Sequence, residues 1–128
     1  MSWVTNKAIL DAALIALGYK EMPLNKTVSE GTFRDKYYNY KIEIGIDELT
    51  GDMAIQTDMV TLEVSYIINS NSEQAAAIDS FRSVMEAVQS SNPFVQFISN
   101  GTFERLDDDN KKLIASVQFE YGLRGCSL

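Results

Sequence analysis

Asp58-Met59-Val60-Thr61-Leu62-Glu63-Val64-Ser65-Tyr66-Ile67-Ile68 alternates apolar and polar residues almost without a break. Val60, Leu62, Val64, Tyr66 and Ile68 fall on one side of an extended chain, with Thr61, Glu63 and Ser65 on the other. Side chains along a strand point alternately to opposite faces, so the stretch reads as a strand with one buried and one wet face. Strands of this kind belong to an antiparallel sheet covered on one side by helices.

Working upstream, residues 36–44 alternate in the same way. Tyr38, Tyr40, Ile42 and Ile44 share one side, and Tyr37, Asn39, Lys41 and Glu43 the other. Between the two strands, residues 45–57 hold two glycines and the acids Asp47, Glu48 and Asp52, which predicts a long loop. Residues 19–35 contain Pro23 and Gly31 and read as irregular. Residues 6–17 predict a helix: Ile9, Leu10, Ala13, Leu14 and Leu17 recur at helical spacing, Thr5 or Asn6 can cap the start, and Gly18 can end it.

Downstream, Asn69-Ser70-Asn71-Ser72 is a turn, with Ser72 suited to cap a helix over 73–89. Its apolar stripe is Ile78, Phe81, Met85 and Val88, and Glu73 sits favourably at the positive N-terminal end. Asn92-Pro93 stops it. Two strands follow, about 94–105 and 111–121, joined by the acidic turn Asp107-Asp108-Asp109-Asn110. Asn100-Gly101 is a bulge, or a turn that splits the first of them.

The order α-β-β-α-β-β predicts an α+β fold, a two-layer sandwich of a mostly antiparallel four-stranded sheet with two helices on one face. At 128 residues the chain is the size of one domain, and 45% hydrophobic residues supply a core without a staple. The far face of the sheet would show Asn39, Lys41, Glu43, Thr61, Glu63, Ser65, Ser116, Gln118 and Glu120, polar and mildly acidic.

The search for chemistry excludes more than it suggests. The sequence has no histidine, which removes the commonest general base and metal ligand and every Ser-His or Cys-His dyad. Its single cysteine, Cys126, is read as a free thiol. No phosphate-cradling glycine motif is present, and the 107–110 run fails the calcium-loop pattern, with Lys112 in place of the glycine and Gln118 in place of the closing glutamate. No catalytic residue, metal or cofactor is expected. Asp47, Glu48 and Asp52 leave open a small enzyme or ligand-binding domain built on a carboxylate pair.

Eighteen acids against 11 bases give a net charge of −7, and the bases are scattered. Gripping nucleic acid by its phosphates needs a clustered positive surface, so specific DNA binding is not expected. No segment has the apolar length of a membrane span, and the first residues lack a secretory pattern, so no membrane contact is expected and Asn25-Lys26-Thr27 and Asn100-Gly101-Thr102 carry no glycosylation signal. Tyr37 is a candidate for exposure at an interface, whereas Tyr38 and Tyr40 share the core side. Trp3 either staples the N-terminus to the core or anchors a neighbouring subunit.

The element order, with the helix at 6–17 and the long loop between the first two strands, resembles the tail terminator proteins of long-tailed bacteriophages. The resemblance is strongest over residues 58–125, where Met59-Val60-Thr61-Leu62-Glu63-Val64 is followed by a helix ending near Val84-Met85-Glu86-Ala87-Val88 and two strands ending Val117-Gln118-Phe119-Glu120-Tyr121. The resemblance implies a structural virion protein, assembled in the host cytoplasm and placed in the tail or neck. Such proteins act as homohexameric rings that cap the tail tube, end polymerisation of the tube protein and meet the head connector, while DNA passes through without specific binding. A head-completion adaptor or tube subunit is the nearest alternative. Under this reading Glu43, Glu63, Gln118 and Glu120 line the channel, where acids keep phosphate from sticking, and Asp47, Glu48, Asp52, Met53 and Ile55 in the 45–57 loop meet the tube.

Overall fold

The computed structural model describes residues 3–23, 35–48, 54–93, 95–106 and 111–121. The elements are α1 (Trp3–Ala16), β1 (Lys20–Glu21), β2 (Tyr37–Glu48), β3 (Ala54–Ile67), α2 (Asn71–Ser91), β4 (Val95–Phe97), β5 (Thr102–Leu106) and β6 (Lys112–Tyr121). The α+β class, the two helices and the mostly antiparallel sheet agree with the sequence. The strand count does not. The sheet has six strands in the order β1-β2-β3-β6-β4, with β5 also on β6, and β1 pairs parallel with β2.

Each extra strand has a local cause. Lys20 and Glu21 sit where residues 19–35 read as irregular; two residues are too few for any periodicity to register. Asn100-Gly101 does split the strand expected at 94–105. β4 faces β6 at Val95↔Tyr121 to Phe97↔Phe119, and β5 faces it at Thr102↔Ser116 to Leu106↔Lys112. The acidic residues 107–110 lie outside the described residues.

The central register fixes the two faces. Tyr38 stands opposite Val64, and Val64 opposite Ala115; Asn39 stands opposite Glu63, and Glu63 opposite Ser116. On the first face Tyr38, Val60, Leu62, Val64, Ala115, Val117 and Phe119 are fully or almost fully buried together with Leu10 and Leu14 of α1 and Phe81, Val84 and Val88 of α2. Both helices therefore cover the same face. α1 lies towards β1 and β2, and α2 over β3, β6 and β4. Burying a side chain such as Leu62 or Phe81 contributes about 2 kcal/mol, so this layer contact dominates the fold.

The helix boundaries moved. α1 begins at Trp3, so Thr5 and Asn6 lie inside it rather than capping it, and Leu17 falls in the turn beyond it, 40% exposed. Gly18 takes the left-handed conformation, φ 91°, that ends a helix. α2 is capped by Ser70, not Ser72: the Ser70 Oγ accepts from the Glu73 amide at 3.2 Å, and Glu73 reaches back to the Asn69 amide. Asn92 closes α2 as expected.

Candidate functional site

The stretch read as a loop over 45–57 is largely strand. β2 and β3 pair without interruption from Tyr37↔Ser65 to Glu48↔Ala54. Asp47 stands opposite Ile55 and Glu48 opposite Ala54, while Asp52 and Met53 lie outside the described residues. Glycine and acids look like loop composition, but partner strands override such propensities. β6 ends its pairing with β3 at Asp58↔Tyr121. Among the described residues, Gly45↔Thr57 to Glu48↔Ala54 therefore have no third strand beside them, and the hairpin runs past the sheet as a two-stranded ribbon. At its base Ile44, expected in the core, is 67% exposed.

The far face carries the expected channel residues together. Glu43, Met59 and Glu120 form one cross-strand row, Lys41, Thr61 and Gln118 the next, and Asn39, Glu63 and Ser116 a third. Glu43 is exposed, and Gln118 and Glu120 are half-buried. Glu63 is ion-paired diagonally with Lys41 at 3.4 Å. With Lys41 exposed and Glu63 half-buried, the pair contributes about 1 kcal/mol or less, so it tempers the charge of the face more than it stabilises it. The face is not wholly bare. Met22, just past β1, packs with Ile114 and with half-buried Tyr37, so Tyr37 belongs to a small apolar cluster rather than to an exposed patch.

A polar tie not foreseen from sequence joins α1 to the sheet. Asp11 Oδ1 accepts from the Tyr38 and Tyr40 hydroxyls, each at 2.9 Å, and Asp11 Oδ2 is 2.8 Å from Lys7 Nζ. Lys7 Nζ also lies 2.7 Å from Glu21 of β1. Trp3 stacks edge-on against Tyr40 with ring centroids 5.5 Å apart, so it staples its own helix to the sheet. Burial works against the Lys7 charge, but the bonds to Asp11 and Glu21 outweigh it and leave the ammonium pKa raised. The Tyr38 and Tyr40 hydroxyls are pushed far up, chiefly by burial and then by the nearby Asp11 charge. Both oxygens of the Asp11 carboxylate are thus engaged in holding α1 to the sheet.

Among the described residues, no group of three or more acidic, cysteine or histidine side chains could hold a metal ion. No helix among the described residues is long and apolar enough to cross a membrane. Compared with known proteins, the chain matches no family model and no curated sequence. The ribbon, the far face and the outer sides of the helices are the surfaces this geometry presents.

Proposed function

We propose that this chain is a structural subunit of a long-tailed bacteriophage, of the tail terminator type. Copies form a ring at the end of the tail tube, end its polymerisation and offer the joining surface for the head connector. The observation that carries the reading is the β2–β3 ribbon continuing past Asp58↔Tyr121 by four further residue pairs, Gly45↔Thr57 to Glu48↔Ala54. Among the described residues no third strand pairs with this part of the hairpin, and an unpaired strand edge suits addition to another chain. The far face, with Glu43, Glu63, Gln118 and Glu120 in adjacent rows, supports the channel assignment: its acids would repel passing phosphate, and Lys41 is already occupied by Glu63.

The test shortens the ribbon without touching the sandwich. Replacing residues 47–55 by Asn-Gly leaves Ile46 and Gln56 flanking a two-residue turn. The expected product is folded but cannot cap tubes, and particles assembled with it carry overlong, headless tails. Tails of normal, uniform length would sink the proposal. Full heads that leak DNA would move the protein to a neck adaptor.

A further inference from the structure

The helices differ on the side turned away from the sheet. α2 shows Glu73, Asp79, Arg82, Ser83 and Glu86 there, an ordinary solvated face. α1 shows Val4, Thr5, Ala8, Ala12, Ile15 and Ala16, all exposed and none charged. Val4 is 77% and Ile15 60% exposed. A helix that is apolar on both sides is at home between two layers, and among the described residues α1 has one layer beside it. It also has no acid in its first turn and no base in its last, so nothing in the helix offsets the negative pole near Ala16.

At the opposite edge of the same sheet lies a complementary feature. Ile78, Arg82 and Met85 of α2, with Gly101 and Phe103 beside β6, line a cleft of about 160 Å³. Phe103 packs edge-on against Phe81 yet remains 40% exposed. A Cβ on Gly101 would stand 3.0 Å from the Met85 sulfur, so glycine keeps the cleft open. Arg82 lies on the rim, 3.8 Å from exposed Asp79.

We propose that the outer face of α1 on one copy docks in this cleft on the next, with Ile15 entering beside Phe103 and Arg82 lying against the C-terminal carbonyls of the incoming helix. The fit is apolar to apolar, with a basic rim meeting a negative helix pole. The occupant is a second copy because both complementary surfaces belong to this chain: the uncharged, apolar outer face and negative C-terminal pole of α1 match an apolar cleft with Arg82 in its lining. The two features sit at opposite edges, one over β1 and β2 and the other at β5, so the contact is head to tail and repeats from copy to copy. The proposal rests on the ring reading above and names the contact that makes the ring.

The experiment uses the full chain with Cys126→Ser as background. Ile15→Cys combined with Arg82→Cys should give a ladder of disulfide-linked oligomers on oxidation, whereas either change alone gives none. A dimer from Ile15→Cys alone would mean that α1 pairs with α1, and it overturns the head-to-tail contact. In sedimentation up to about 1 mM, Ile15→Glu should weaken self-association at least about tenfold, with melting unchanged, because the contact would bury an unpaired carboxylate. Rings unaffected by Ile15→Glu overturn the contact and leave the ring reading standing. Rings lost in Ile15→Glu while tails stay normal support the contact and overturn the tail reading. A wild-type chain that stays monomeric, with no ladder from the double variant, overturns the contact.

Discussion

The Asp11 carboxylate of α1 holds the Tyr38 hydroxyl of β2 at 2.9 Å, and the same oxygen holds Tyr40 at 2.9 Å. One acid thereby fastens the helix whose outer face is apolar to the edge of the sheet. Asp11→Ala should cost about 2–3 kcal/mol, since it takes the acceptor from two phenols and leaves Lys7 with Glu21 alone of its two acids. Tyr40→Phe, which removes one of the three bonds, should cost about 1 kcal/mol. Urea unfolding of the two variants checks the ratio; equal and negligible losses would show that the tie does not stabilise the fold.

Alkali should weaken the protein for a related reason. Tyr19, Tyr38, Tyr40, Tyr66 and Tyr121 all have hydroxyls pushed above the ordinary value of 10.0, with burial the largest cause in each. Lys7 is raised above 10.5 as well, by its bonds to Asp11 and Glu21 working against burial. In each case the folded chain holds its proton more tightly than the unfolded one. Their contribution is thus fully present below about pH 10 and is lost as pH rises beyond it. Stability measured in urea should be flat with respect to these groups from pH 7 to 9 and fall steeply above pH 10. Phenolate absorbance should appear together with unfolding rather than ahead of it.

Among the described residues, the buried Tyr121 hydroxyl has no hydrogen-bond partner. Tyr121→Phe removes that group and keeps the ring that stacks against Phe119. The variant should be as stable as the parent or up to about 1 kcal/mol more so, because an unmet buried hydroxyl costs more than its absence. A loss above about 1 kcal/mol in thermal unfolding would contradict this.

Helix punctuation offers a fourth check. Ser70→Ala should cost about 1 kcal/mol by freeing the Glu73 amide. Gly18→Ala should cost about as much although nothing stands within 4 Å of the added methyl, because the penalty lies in the backbone at φ 91°. Melting temperatures of both variants test the pair.

Much of this fold can be read from residues alone, because alternation at 58–68 and helical spacing at 9–14 and 78–88 each have one explanation. What misleads is composition. Gly45, Asp47 and Glu48 resemble a loop until β3 is laid beside them, and Lys20-Glu21 is a strand only because Tyr37 and Tyr38 stand next to it. The tie at Asp11 is invisible in sequence, since its partners lie across the fold. The outer face of α1 did leave a trace: Val4, Ala8, Ala12 and Ile15 recur at helical spacing opposite Leu10 and Leu14, and a helix with apolar residues on both sides calls for a second partner.

The strand β6 is shared by β3, β4 and β5, and this has a kinetic consequence. The β2–β3 hairpin joins neighbours in sequence and can form early, as can α2. β6 must then return across the whole of α2, β4 and β5 to find β3, which makes it the costly loop closure of folding. Its arrival completes the β3, β4 and β5 ladders at once, so the sheet should form in one cooperative step whose rate is set by the last strand. Ala115 and Val117, at its centre, are the positions where a trimmed side chain should slow folding rather than merely hasten unfolding.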